Sequence, residues 1–213
     1  MSLHFAREYK NKLVFADKAA KIVNSGDWIK FAFEACTANE FDHALAMRRD
    51  ELQDIKVLCE LRDSYYNILE SSSEHFCRKE DSALPRDKRA FDIIGSSPAL
   101  SIEGLPAYSS RLIFVASVSP MNKEGYFSFG VQRPGDQEAL ETADYVMVEV
   151  NENIPGADGR TRDGIHISQV DFVIIGGNSP LLPELIECRI ENEQYTGKHK
   201  KNNPGAFVNV RAV

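Results

Sequence analysis

The stretch YVMVEVNENIPGADGRTRDGIH, Tyr145 to His166, opens as an apolar run and then passes abruptly into amides, acid, glycine and arginine. A short valine-rich run of this kind reads as a strand buried inside a sheet, with Pro155 and Gly156 just beyond it allowing a bend. Its end admits two readings. Asn151, Glu152 and Asn153 offer amide and carboxylate groups to a pocket, or the asparagines bond the turn backbone and merely finish the strand. If the strand runs on to Asn153, alternation turns Glu152 away from both asparagines, and only a bend brings the three together.

The same grammar recurs on either side of that stretch. WIKFAF, Trp28 to Phe33, and IKVLCEL, Ile55 to Leu61, read as further strands, as do RLIFVASV, with its apolar core at Leu112 to Val118, and QVDFVII, from Val170 to Ile175. Between them, Ala19, Ala20, Ile22 and Val23 share a helical face that Gly26 is placed to stop. Thr37 and Glu40 are spaced as a capping box ahead of Phe41, Ala44, Leu45 and Leu52, and a short helix is expected near Asp136 to Ala143. Residues 71–110 mix charge, serine and proline without a period and read as loops with short elements. Strands alternating with helices predict an α/β fold with an open, mostly parallel sheet flanked by helices. Sites in such sheets lie beyond the carboxyl ends of the strands.

Composition narrows the function classes. The chain has 213 residues, 43% of them hydrophobic, and a formal charge of −7, which suits one sizeable domain and argues against nucleic acid as the main partner. No apolar run approaches the length that spans a bilayer, and MSLHFAREYKNK lacks the features of a secretory signal, so a cytoplasmic protein is expected. Cys36, Cys59, Cys77 and Cys188 form no CxxC pair and read as small buried thiols, so no metal site is assigned. HExxH, GxSxG, P-loop and GxGxxG patterns are all missing.

Three strand ends remain as candidate sites: Glu34 to Asn39, Ser117 to Gly130, and the stretch after Tyr145–Val150. In the second, Pro120 breaks the strand and Asn122 with Gly125 makes a turn that returns an aromatic, hairpin-like arm. His166, between Ile165 and Ile167, reads as a hydrogen-bonded structural residue before it reads as a base.

The segments YKNKLVFADKAAKIVNSGDWIKFAF, DHALAMRRDELQDIKV, VSPMNKEGYFSFG, VEVNENIP and GIHISQVDFVIIGGNSPL, in that order, resemble the amino-terminal half of the acetyl-CoA hydrolase/CoA-transferase family. Within it the resemblance is greatest to butyryl-CoA:acetate and 4-hydroxybutyrate CoA-transferases, and it covers roughly Tyr9–Lys56 and Val118–Leu181. It implies two similar α/β domains in tandem with the active site between them, no bound cofactor, and a coenzyme A thioester as substrate. CoA would pass from acetyl-, butyryl- or 4-hydroxybutyryl-CoA to a short carboxylate such as acetate through a glutamyl-CoA thioester. The family's nucleophilic glutamate and its GIGG loop stand in the carboxy-terminal domain, and neither motif occurs in this sequence.

No residue here is therefore assigned as catalytic. Thr37, Ser119, Pro120, Asn151, Glu152, Asn153 and His166 are the implied substrate-binding positions. The domain is expected over residues 1–186, with 187–213 a divergent tail or the start of a linker. The partners expected are a second CoA-transferase domain or subunit, and a homodimer at full length. Two departures from the family's pattern are Glu34 and Cys36 in FEACT and the segment RKEDSALPRDK. The alternative is a non-catalytic α/β binding or assembly module; an isomerase-like enzyme on a related fold lacks a phosphate loop.

Overall fold

A computed structural model describes residues 3–32, 38–59, 91–95, 111–129, 134–156 and 164–178, with backbone alone at 59, 91–95 and 134–135. In chain order these residues form α1 (Leu3–Lys12), β1 (Leu13–Val14), α2 (Ala16–Ala20), β2 (Trp28–Phe31), α3 (Asn39–Ala46) and β3 (Ile55–Cys59). There follow β4 (Phe91–Gly95), β5 (Leu112–Val118), β6 (Tyr126–Ser128), α4 (Pro134–Thr142), β7 (Tyr145–Val150), β8 (Gly164–His166), a 3-10 turn (Ile167–Gln169) and β9 (Phe172–Ile175).

Seven strands make one sheet in the order β1-β9-β7-β5-β2-β3-β4, and every pairing in it is parallel. The expected open parallel α/β sheet is thus what the chain forms. Parallel strands need both faces covered, which is why β5 is buried at all seven positions. Ile29, Phe31, Ile55, Val57, Ile113, Val115, Met147 and Ile174 pack on one face with Ala19, Ala20 and Val23, and with Phe41 and Leu45 of α3. Phe114, Ala116, Val118, Val146, Val148 and Val173 pack on the other, beneath α1, α4 and the small antiparallel pair β6–β8. Lys30 of β2 bonds the Phe31 carbonyl at 2.8 Å and pairs with Asp136 of α4 at 3.1 Å, so its ammonium is buried with both a carbonyl and a carboxylate.

Several elements differ from the sequence expectation. The helix expected to reach Gly26 ends at Ala20: the Ile22 and Val23 N–H groups bond three residues back instead of four, the Asn24 N–H turns to the Asp27 carboxylate, and Arg48 and Arg111 take the carbonyls of Ala20, Val23 and Ile22. Helix α3 begins one residue later than the Thr37–Glu40 spacing implies, with Ala38 at the cap, so Glu40 does not hold the capping-box position. It stops at Ala46, short of Leu52. Helix α1 and strands β1 and β4 are additions to the expected set; β1 is two residues long, and β4 lies in the stretch read as loops with short elements. The arm after Pro120 folds back as expected, with Ser119 N–H donating to the Ser128 carbonyl and Asn122 N–H to the Tyr126 carbonyl, each at 2.8 Å, and its outgoing strand pairs with β8 on the other side.

The described residues all fall within one compact unit, Met1–Pro180. Phe33, Glu34, Cys36, Thr37, Leu61, Cys77, Gly130, Cys188 and the tail 187–213 lie outside the described residues, as does most of the divergent middle.

Candidate functional site at the carboxyl edge of the sheet

Along the face covered by α2 and α3, the strands change character from one end to the other. In β5 the side chains run Ile113, Val115, Ser117; in β7 they run Tyr145, Met147, Glu149. Ser117 and Glu149 are register partners, and both are only 2% exposed. The apolar face therefore ends at its carboxyl edge in a hydroxyl and a carboxyl sunk below the surface.

Glu149 is held by the start of α3. Its Oε2 accepts from the Phe41 N–H at 2.9 Å and its Oε1 from the Glu40 N–H at 3.3 Å. Ala38, at the cap of that helix, provides no side-chain acceptor. No lysine, arginine or histidine forms an ion pair with Glu149 among the described residues. Burial pushes its carboxyl up to about 7, and the charges of Glu40 and Asp42 add to the rise, against the downward pull of the two N–H donors.

Beside it, β7 ends at Val150 and the chain turns at once. Asn151 is 2% exposed, its Oδ1 accepts from the Asn153 N–H at 2.9 Å, and its carbonyl accepts from Ile154 N–H. Asn178, after β9, reaches the same turn: its Oδ1 accepts from the Glu152 N–H at 2.9 Å and its carbonyl from Asn153 Nδ2 at 2.7 Å. Asn178 has φ of 54°, which asparagine tolerates better than most residues. The two residues before it run close to their neighbours, Gly176 against backbone that cannot move aside and Gly177 against the mobile end of a side chain. A Cβ at Gly176 would stand 2.0 Å from the Val150 carbonyl oxygen, and one at Gly177 2.3 Å from Glu40 Oε1. Contacts thus close a ring from Glu149 to α3, from Glu40 to Gly177, and from Asn178 back to the turn after β7.

The loop after β5 is a second, separate construction. Ser119 is buried, its hydroxyl accepting from Ser128 N–H at 2.9 Å and donating to the Pro120 carbonyl at 3.1 Å. Asn122 Oδ1 accepts from the Glu124 and Tyr126 N–H groups and so forms the turn. Gly125, with φ of 88°, brings its backbone against His166, and a Cβ there would lie 2.8 Å from Nε2. His166 Nδ1 accepts from the Ser168 N–H, and Gln169 Oε1 accepts from the His166 N–H, which together cap the 3-10 turn. The imidazole edges meet the rings of Phe5 and Tyr126, with centroids 5.1 and 4.8 Å away.

The seven sequence-derived positions therefore divide. Asn151, Glu152 and Asn153 share one turn at the end of β7, and Ser119 with Pro120 follows β5, the strand next to it. His166 belongs to the β6–β8 pair and its capping bonds, and Thr37 lies outside the described residues. The bend needed to let the asparagines and Glu152 approach one another comes immediately after Val150, before Pro155. Glu149, Gly176, Gly177 and Asn178 do not stand out from sequence. A signal for Glu149 is present: alternation in YVMVEV places an acid in line with Tyr145 and Met147, on a face whose other members are apolar.

Residues 111–183 match the acetyl-CoA hydrolase/transferase N-terminal domain. The chain is 34% identical over 182 residues to a probable butyrate:acetyl-CoA coenzyme A-transferase of Syntrophomonas wolfei, covering 82% of this chain and 40% of that protein. It is 34% identical over 194 residues to the butyryl-CoA:acetate CoA-transferase of Anaerostipes caccae, covering 86% of this chain and 43% of that one. The chain thus spans less than half the length of the curated relatives it matches. In fold it is similar to the 4-hydroxybutyrate CoA-transferase of Porphyromonas gingivalis, with a TM-score of 0.64 over 84% of this chain and 42% of that one at 23% identity.

Proposed function

Starting from a chain related to the acetyl-CoA hydrolase/transferase N-terminal domain, we propose that it forms the amino-terminal half of a cytoplasmic CoA-transferase. It takes an acyl-CoA such as butyryl-CoA and, with a second CoA-transferase domain, passes CoA to a short carboxylate such as acetate. The observation that carries this reading is where the matched segment falls. Residues 111–183 contain β5, β7 and β9, whose carboxyl ends, the usual place for a ligand in such a sheet, carry the polar ring built around Glu149. Ser119, Pro120, Asn151, Glu152 and Asn153 stand in loops at that edge, where they form or support one wall of the acyl-CoA site; Thr37 and His166 belong to the same proposal by resemblance. Among the described residues no helix is long and apolar enough to cross a membrane.

In this reading the chain binds and orients, and the attacking carboxylate comes from the second domain, which in a full-length protein assembles as a homodimer. Butyryl-CoA titrated calorimetrically into the chain should bind, while transfer of CoA to labelled acetate should stay at background. Adding the carboxy-terminal half of the Anaerostipes caccae relative should raise transfer well above either half alone. Unaided turnover would sink the division of labour, and no binding with or without the added half would sink the substrate assignment.

A further inference from the structure

Helix α3 has eight residues and an alanine at its cap, so its first N–H groups have no acceptor from their own cap side chain. The acceptor comes from Glu149, 108 residues away from Phe41 in sequence, on a strand separated from β2 by β5. The bond therefore fastens the place where the chain enters α3 to the carboxyl end of β7. Gly177 lies beside the same helix start, its backbone passing close to the Glu40 carboxylate. Both amide donors are directed at Glu149, so the helix start is not an open cradle for a phosphate or carboxylate of a ligand.

We propose that Glu149 is a positioning residue for the acyl-CoA site: by capping α3 from β7, it holds the start of that helix in register with the turn formed by Asn151, Glu152 and Asn153. The proposal rests on the acyl-CoA reading for the ligand, but the positioning itself is a property of this chain alone. Charged groups facing the carboxyl are Glu40 and Asp42 of α3; its sheet neighbours at the same level, Ser117 and Ile174, are uncharged.

The test compares the chain with its Glu149→Ala and Glu149→Gln variants by amide hydrogen exchange and by calorimetric titration of butyryl-CoA. Loss of an N-terminal cap should lower protection of the Glu40 and Phe41 amides in Glu149→Ala about fivefold and weaken butyryl-CoA by a similar factor. Glu149→Gln keeps an acceptor for the Phe41 N–H and should restore both. The Phe41 amide resonance should also show a titration step at about 7 in the parent chain and none in Glu149→Gln. Unchanged protection in Glu149→Ala overturns the proposal, as does lost protection with undiminished affinity. Should Glu149→Ala fail to fold, the titration decides: no step at Phe41 in the parent chain overturns it. If the parent chain binds no butyryl-CoA, the acyl-CoA reading fails, and the exchange data still decide whether Glu149 holds α3.

Discussion

The two edges of the sheet handle carboxylates in opposite ways: of the three aspartates at the amino edge, Asp144 and Asp171 are exposed and the buried one, Asp27, is paired, whereas Glu149 at the carboxyl edge is buried with no cation beside it among the described residues. At the amino edge an aspartate directly precedes an aromatic residue at the start of three strands: Asp27-Trp28, Asp144-Tyr145 and Asp171-Phe172. Asp144 accepts from the Leu112 N–H and Asp171 from the Val146 N–H, each at 2.8 Å, so each closes off the neighbouring strand. Asp27 accepts from Arg111 through both oxygens, at 3.1 and 2.7 Å, and from the Asn24 N–H. The Asp27 hydrogen bond holds the Arg111 guanidinium above its ordinary range, and Arg111 also lies over the Tyr145 ring. At the carboxyl edge, Glu149 meets backbone donors and two further acids among the described residues, and Gly176 passes close beside its side chain. At the amino edge the buried acid is neutralised by Arg111 and the other two stand in water. The carboxyl edge retains an acid whose charge is unfavourable, as parts of an α/β sheet that serve ligands commonly do.

The largest test of that contrast is Gly176→Ala. The added Cβ would lie 2.0 Å from the Val150 carbonyl oxygen, and backbone cannot swing aside as a side chain can. Destabilisation of about 3 kcal/mol, toward the upper end for overpacking, is expected in urea unfolding. A cost below about 1 kcal/mol would show that the junction between β7 and β9 yields more readily than this close approach implies. At the opposite edge, Asp27→Ala strips Arg111 of its bidentate partner and leaves the Asn24 N–H without its acceptor. Because the Arg111 side chain is 33% exposed, water recovers part of the loss, and a cost of about 2–3 kcal/mol is expected by the same measurement. Asp27→Asn, which keeps acceptor capacity, should recover part of it.

The scaffold is legible in the sequence wherever apolar runs are long or bounded. Leu112–Val118 and Tyr145–Val150 announce buried strands because both faces have to be apolar, and the parallel arrangement follows from the helices between strands. Two-residue β1 carries no period to detect, and the chain beyond α2 is held by Arg48 and Arg111, which are distant in sequence. The candidate site is legible as a place more than as a mechanism. Asn151 and Asn153 stand out, but that Asn151 holds the turn internally while Asn153 fastens it to Asn178 depends on a partner 25 residues further on. His166 draws notice for its strand setting, and it is the Gly125 turn and the 3-10 cap that give its neighbours and bonds. Glu152 attracts attention because it stands among amides, while Glu149, three residues earlier, occupies the buried position. Alternation alone marks that difference, and the capping partner on α3 is a long-range contact no local pattern contains.

The smallest effect is the one that reports most directly on the uncompensated acid. In an unfolded chain Glu149 titrates near the ordinary value of 4.5, and in the folded chain burial lifts it to about 7. Between those values the folded state holds a proton that the unfolded state has released, so raising the pH favours unfolding. The contribution is fully present below about 4.5 and is lost as pH rises through about 7. From pH 5 to pH 7 this site alone should lower stability by about 2 kcal/mol, because one extra bound proton is worth about 1.36 kcal/mol for each step of one in pH. The aspartates of the amino edge act in both chains when wild type is compared with Glu149→Gln, so they cancel in the difference. In urea unfolding at a series of pH values, the wild-type stability should therefore fall with pH relative to that of the variant. A wild-type curve parallel to the variant's would mean that the α3 amides offset the burial of Glu149 and keep it ionised, and the distinction between the edges would reduce to packing.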